Sequence, residues 1–270
     1  MKSGRINSGK RRKQITLILF SLIILITILF FTLPLFALLL RIAPEEFITA
    51  ILKPDVKNAI FLSLITAGTS TVVIVLFGTP LAYLNARVPY RGRDFVETLL
   101  DLPIVLPPSV AGLALLVLFG RRGLIGAYLN DLGITIIFTT FAVVLAQVFV
   151  AGPLYIRQAK TAFAMVDQVY ESAARTLGAS PLATFMKITI PLAWTGLVSG
   201  VILSFARAIG EFGATIMVAG NLPGKTQTMP LAIYGLMQSD LTASIALSLV
   251  LIGISCIILV MIRILAGRSG

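Results

Sequence analysis

The chain has 270 residues, of which 57% are hydrophobic and only 12% charged. Soluble domains carry about 25% charged residues, so most of this chain is kept from bulk water. With no His and a single Cys, Cys256, it lacks the commonest metal ligand and the commonest general base at neutral pH, and an intrachain disulfide is excluded. No catalytic or metal site is expected, and the net charge of +11 does not indicate nucleic acid, because the basic residues cluster at the ends of apolar runs, where they act as topology signals.

A membrane span needs about 20 apolar residues. Six stretches qualify in chain order: residues 15–40, 59–86, 102–119, 134–156, 193–219 and 241–265. The first follows Lys10-Arg11-Arg12-Lys13. It is longer than the apolar core of a signal peptide, about 7–15 residues, and no small-residue cleavage site follows it, so it reads as an uncleaved span. The third is short and contains Pro107-Pro108.

Orientation follows from the positive-inside rule. With the N-terminus in the cytoplasm, the inner segments hold Lys2, Arg5, Lys10 to Lys13, Arg87, Arg91, Arg93, Arg157, Lys160, Arg175, Lys187, Arg263 and Arg268. The outer segments hold Arg41, Lys53, Lys57, Arg121, Arg122 and Lys225. The excess lies inside. Six spans return the C-terminus to the cytoplasm, and the long polar segment 157–191 is placed there too.

The second span carries a polar stripe, Ser63, Thr66, Thr69, Ser70 and Thr71, with Gly68 among them. Hydroxyls can donate hydrogen bonds to an oxyanion without holding it by charge. Helix packing explains the same stripe and is the favoured reading.

The segment between the fourth and fifth spans reads as two short helices. Asp167 can cap the first, whose body is 168–177, and Glu171 sits in its early turns, where negative charge is favourable. Gly178 can end it in a left-handed conformation. Ser180-Pro181 reads as an N-cap followed by Pro at the first helical position. The second helix is expected to run to about Ile190 and to be interrupted by Pro191 before the fifth span. Ala173 and Ala174 give the first helix a face without bulk. Such a face permits close approach of another protein, but ordinary helix formers in a structured loop look the same.

Arg207 and Glu211 fall about midway along the fifth predicted span. Charges there are costly and invite a functional hypothesis. Four residues apart, they share a helix face and can pair. An ion pair tying the bundle together is the favoured reading, and a polar lining for an anion's route, with Thr215 beside it, is the other. Gly196 and Gly200, then Gly210 and Gly213, permit close helix contact.

Residues 219–226, Ala-Gly-Asn-Leu-Pro-Gly-Lys-Thr, nearly fit a phosphate-binding loop. That loop should follow a strand and open a helix. Here it follows a membrane helix, Pro230 comes shortly after, and the charge count places it outside, away from ATP. A Gly/Pro turn, or a lip that touches a substrate-delivering protein, fits better.

Glu171-Ser172-Ala173-Ala174-Arg175-Thr176-Leu177-Gly178, followed after nine residues by Ile188-Thr189-Ile190-Pro191, resembles the EAA loop of ABC importer permeases. Ser172 stands where the pattern has Ala, and Ile190 where it has Leu. The run Arg207-Ala208-Ile209-Gly210-Glu211-Phe212-Gly213-Ala214-Thr215 is similar to the signature of molybdate, tungstate and sulfate permeases. The stretches 220–228 and 102–112, the latter followed by 119–123, resemble the molybdate branch in particular.

The resemblance covers about residues 58–265 and implies an all-α, six-span, type 1 importer permease in the cell membrane of a prokaryote. It divides the chain into residues 1–57 (basic tail, first span and outer loop), a permease core at 58–265 with the coupling loop 157–191, and a tail at 266–270. It implies a homodimer, two cytoplasmic ABC ATPase subunits that use ATP and Mg, and an extracytoplasmic oxyanion-binding protein that sets specificity. It also implies that Glu171, Ala173, Ala174, Gly178, Ile188 and Pro191 couple the spans to the ATPase, and that the chain binds no cofactor itself. A sulfate or thiosulfate importer is the alternative within the family. A stand-alone channel or secondary transporter would leave the loop at 171–191 unexplained.

Overall fold

The computed structural model describes residues 3–267, with the backbone alone for 3–15 and 265–267. Lys2, Arg268 and the predicted tail from residue 268 on lie outside the described residues. Among these there are helices and no strand. The chain divides into two compact units, residues 1–48 and 49–270. The first contains α1 (Ser3–Leu40) and the start of α2 (Pro44–Leu52).

The second unit continues with α3 (Pro54–Arg87), α4 (Arg93–Val105), α5 (Pro108–Phe119), α6 (Gly126–Asp131) and α7 (Thr140–Met165). Then come α8 (Gln168–Thr176), α9 (Pro181–Thr184), a π turn at Phe185–Thr189 and α10 (Ile190–Ile209). The unit closes with α11 (Gly213–Ala219), α12 (Met229–Ser239) and α13 (Leu241–Gly267). Five stretches are long and apolar enough to cross a membrane: Thr16–Leu40, Pro54–Arg87, Thr140–Met165, Pro181–Ile209 and Leu241–Ile264. The bent pair α4–α5 makes a sixth if counted as one span. The protein is therefore a multi-pass membrane protein.

The third predicted span, 102–119, is not one helix. The chain bends by 114° between α4 and α5. Pro107 and Pro108 carry no N–H donors, and the residue before each is driven extended: Leu106 has φ −64° and ψ 137°, Pro107 φ −53° and ψ 134°. The fifth predicted span, 193–219, is broken as well, at Gly210-Glu211-Phe212.

At the other end of that span Pro191 does not interrupt the helix. A continuous rod runs Pro181–Ile209, because the π turn widens the backbone before Pro191. The Ile190 N–H reaches back to the Phe185 carbonyl, and the ring sits in the first turn of α10, where a missing donor costs little. The fourth predicted span begins and ends later than 134–156, since Thr139 caps α7 with its hydroxyl and the helix runs on to Met165. The short helices α2, α6 and α12 had no sequence counterpart.

α3 and α7 run side by side in the same direction, and α10 runs against α7. Membrane helices gain little from burying apolar side chains away from lipid, so close packing through small residues dominates. Ala67, Ala82, Ala146, Ala151, Ala159 and Ala208 are fully buried. A Cβ on Gly196 would lie 2.5 Å from Ala162 Cβ, and one on Gly200 3.2 Å from Tyr155, so these two glycines let α10 lie directly on α7. At the opposite end of α7, Ala142, Ala146 and Val150 pack with Ala111 and Leu115 of α5 and Ala214 and Val218 of α11.

The hydroxyl stripe on α3 faces this packing. Ser70 donates to Gln147 Oε1 at 2.8 Å, Gln147 Nε2 donates to Thr66 at 3.3 Å, and Ser63 Oγ accepts from the Met229 N–H at 2.6 Å. Ser63, Thr66, Ser70 and Thr71 are buried, and Thr69 is exposed.

Candidate functional site

The segment after α7 is built by its own sequence. The Asp167 side chain accepts from the Val169 N–H at 2.9 Å and caps α8. Gly178 ends it at φ +88°, with Gly178 N–H bonded to the Arg175 carbonyl and Ala179 N–H to the Ala174 carbonyl, both at 3.0 Å. This double closure needs a left-handed residue, which glycine supplies without strain. Ser180 Oγ then caps α9 by accepting from the Ala183 N–H at 3.2 Å.

Glu171 does more than favour a helix start. It is buried, and its Oε1 accepts from Arg87 Nε at 3.1 Å and Nη2 at 3.0 Å, and from Thr189 Oγ1 at 2.9 Å. Arg87 Nη2 also donates to the Val166 carbonyl at 2.8 Å. Both charged side chains are 8% exposed. One cluster thus joins the last turn of α3, the end of α7, α8 and the π turn. Beside it the rings of Tyr83, Phe163 and Phe185 pack edge-on and tilted, with centroids of Tyr83 and Phe185 4.7 Å apart.

Sequence reading missed Arg87 and Thr189. Arg87 carried only a topology signal, and nothing local pairs it with a residue 84 positions on. The remaining residues of the predicted set lie around the cluster. Ala173 is exposed, Ala174 half-buried, Ile188 half-buried and Pro191 exposed. The outer side of the loop presents Tyr170, Leu177, Leu182 and Met186, with Leu177 89% exposed.

The second predicted site lies at the far end of α10. Arg207 is in its last turn, but Glu211 is beyond the helix, in the break. The two still pair, Arg207 Nη1 to Glu211 Oε2 at 2.7 Å. The helix face was not what brought them together: Glu211 is held by its other oxygen, which accepts from the Ala214 N–H at 2.7 Å and caps α11. Glu211 is 1% exposed, whereas Arg207 is 33% exposed. Thr215 is fully buried, and its hydroxyl has no hydrogen-bond partner.

Residues 219–226 form a turn between α11 and α12. Gly220 and Gly224 have φ of +69° and +71°. Thr226 Oγ1 accepts from the Leu222 N–H at 3.0 Å, and the Leu222 carbonyl accepts from the N–H groups of residues 225 to 227. The threonine that a phosphate loop would turn toward its metal closes the turn instead.

Residues 74–269 match the family of binding-protein-dependent transport system inner membrane components. The chain is 44% identical to the molybdenum transport system permease protein ModB of Mycobacterium tuberculosis, over 86% of this chain and 88% of that one. It is 42% identical to ModB of Escherichia coli K12, over 73% and 87%. The sulfate transport system permease protein CysT of Salmonella typhimurium is 33% identical, over 92% and 91%. In fold, a chain of a bacterial ABC transporter that imports the acidic polysaccharide alginate superposes with a TM-score of 0.71 at 15% identity, covering 98% of both chains. With a broken-helix bundle, a capped loop anchored to α3 and this match across most of its length, the chain belongs to the inner membrane components of binding-protein-dependent transport systems.

Proposed function

We propose that this chain is the permease of an ATP-driven importer that carries molybdate and tungstate across the cell membrane by alternating access. The observation that carries the reading is the loop of α8 and α9. It is rigidly capped, presents an exposed apolar rim at Tyr170, Leu177 and Leu182, and is tied through Glu171 to three further elements. Tyr170 and Leu177 lie between the long helices Thr140–Met165 and Pro181–Ile209, with Leu182 at the very start of the latter, and an exposed apolar patch at such a place is a docking surface in search of a partner. That partner is a cytoplasmic ABC ATPase, one on each of two copies of this chain, and ATP and Mg are bound there and not here. The molybdenum permeases among the relatives supply the substrate, and the lower identity to the sulfate permease makes that branch the second choice. In this scheme an extracytoplasmic oxyanion-binding protein delivers the anion.

The geometry suggests how work is transmitted. When the ATPase subunits close, α8 moves as a unit because both its ends are capped. Arg87 carries that displacement into α3 and, through the Val166 carbonyl, into α7, while Thr189 carries it into α10. The distant end of α10 is the Arg207–Glu211 break, where helix ends can reorient without breaking a continuous hydrogen-bond ladder. A paired Arg207 would not trap an anion by charge. Residues 58–265 constitute the working core, including the coupling residues Ala173, Ala174, Gly178, Ile188 and Pro191.

The test is ATP hydrolysis by the full-length permease–ATPase complex in proteoliposomes. Binding protein loaded with molybdate or tungstate is expected to stimulate it. Stimulation by sulfate-loaded protein alone would move the chain to the sulfate branch.

A further inference from the structure

Between α3, α4 and α7 lies an open apolar groove of about 380 Å³. Its walls include Ile74, Phe77, Leu99, Pro103, Phe149 and Ile156. Phe77 and Leu99 are 71% and 54% exposed. At the α8 end the groove runs into a second cavity, about 230 Å³, with which it shares Leu100 and Ile156. This second cavity is lined by Asn85, Glu97, Asp101, Arg157 and Lys160. An apolar trough thus opens into a polar pocket holding two acidic and two basic side chains.

The dimensions match one leaflet. Along α3 the groove spans residues 73 to 81, roughly 12 Å at 1.5 Å per residue. Half of a hydrocarbon core is about 15 Å. The polar pocket lies beside Asn85 in the last turn of α3, and long basic side chains such as Arg157 and Lys160 can reach from there to the headgroup level.

The pocket chemistry selects among headgroups. Lys160 and Arg93 both bond Glu97 Oε1, at 2.7 and 2.9 Å. Among the described residues the side chains of Arg157 and Asp101 have no hydrogen bond or ion pair of their own. One free cation and one free anion on the same rim suit a ligand that carries both charges. A purely anionic headgroup could use Arg157 but would leave the Asp101 carboxylate without a partner.

We propose that this groove seats a zwitterionic phospholipid of the phosphatidylethanolamine class, with one acyl chain along α3 and α7, its phosphate on Arg157 and its ammonium on Asp101. The site is separate from the coupling cluster and from the Arg207–Glu211 break, and its occupancy is read without measuring transport.

The full-length complex, extracted in mild detergent, is incubated with phosphatidylethanolamine or phosphatidylglycerol and examined by native mass spectrometry. The wild type is expected to retain phosphatidylethanolamine in preference. The double variant Arg157→Ala with Asp101→Ala is expected to retain it about tenfold less, the loss expected from removing charge-assisted hydrogen bonds. Both positions are rim residues, so the variant keeps the helix packing. Equal retention of the two lipids, equal retention by wild type and variant, or preference for phosphatidylglycerol would each overturn the proposal. A second arm tests whether another copy of the chain fills the groove: Leu99→Cys is made in a Cys256→Ser background and oxidised in native membranes. No crosslinked dimer is expected. Efficient dimer formation through residue 99 would assign the groove to the protein interface and sink the lipid site.

Discussion

Arg87→Ala is the most informative single change. It leaves the largely buried Glu171 carboxylate without a cation, held only by the neutral hydroxyls of Thr189 and Tyr83, and it frees the Val166 carbonyl. Removing one member of a buried ion pair costs about 3–5 kcal/mol, because the other charge is left uncompensated. Conformational equilibria shift tenfold per 1.4 kcal/mol, so the docked state of α8 falls by about a hundred- to several-thousand-fold relative to undocked forms. Hydrogen exchange on the full-length complex reads this directly, as lost amide protection across Gln168–Thr176 with α3 and α7 protected as before. Combining Arg87→Ala with Glu171→Ala removes the stranded charge and is expected to restore part of the protection, a coupling that only a cycle of single and double variants exposes. Arg87→Lys is expected to be intermediate, since an ammonium cannot reproduce the guanidinium fork that bonds Glu171 and Val166 together. Wild-type protection in Arg87→Ala, with uptake still coupled to ATP, would refute the idea that this pair anchors the loop.

Gly178→Val forces a β-branched residue to φ +88°, at a cost of at least about 1–2 kcal/mol; it is expected to leave membrane insertion intact while ATP hydrolysis proceeds without matching uptake. Glu211→Gln weakens both the Arg207 pair and the α11 cap, charged hydrogen bonds worth about 1.5–3 kcal/mol each, so the amount of assembled complex should fall in size-exclusion profiles while competition between molybdate and tungstate stays unchanged; an altered oxyanion preference in well-assembled complex would show that the pair lines the route instead. Gln147→Leu removes both the acceptor for Ser70 and the donor to Thr66 and should lower the thermal midpoint of the detergent-solubilised complex by an amount corresponding to about 1–3 kcal/mol. The Lys53–Asp240 pair holds the Asp240 carboxyl below its usual range, chiefly through the lysine hydrogen bond and then through the Ala243 N–H. Because the folded value is depressed, its contribution is present above the usual aspartate value of about 3.9 and lost as pH falls through the folded value. The side chains are 49% and 30% exposed, so Asp240→Asn should cost less than about 1 kcal/mol at neutral pH and the gap from wild type should close in acid.

Much of the loop was legible because its signals are local. Asp167, Gly178 and Ser180-Pro181 act within three or four residues of themselves, and each caps the helix end expected of it. The long helices α1, α3, α7, α10 and α13 were legible by apolar length, though not their exact ends. What was not legible came from backbone register or distant pairing. Pro107-Pro108 was visible, but not that the chain would turn by 114° there. Pro191 looked like a stop because a π turn upstream, which accommodates it, has no sequence signature. Arg207 and Glu211 were recognised as a pair, yet the helix between them ends before Glu211, which becomes a cap. Arg87 and Thr189 meet Glu171 only once α3, α7 and α10 are packed. Gln147, a lone amide in an apolar run, was a signal left unused: it partners the hydroxyls of α3 and explains the stripe as packing.

On this reading the loop around Glu171 receives the work of ATP, and this work moves an oxyanion. This is tested most directly by counting molybdate accumulated per ATP hydrolysed in proteoliposomes that hold the permease, its ATPase and loaded binding protein. Uptake is expected to require both ATP and the ATPase, to be competed by tungstate, and to drop in Gly178→Val while hydrolysis continues. Molybdate accumulation that persists without the ATPase, or is unaffected by Gly178→Val, would contradict this reading.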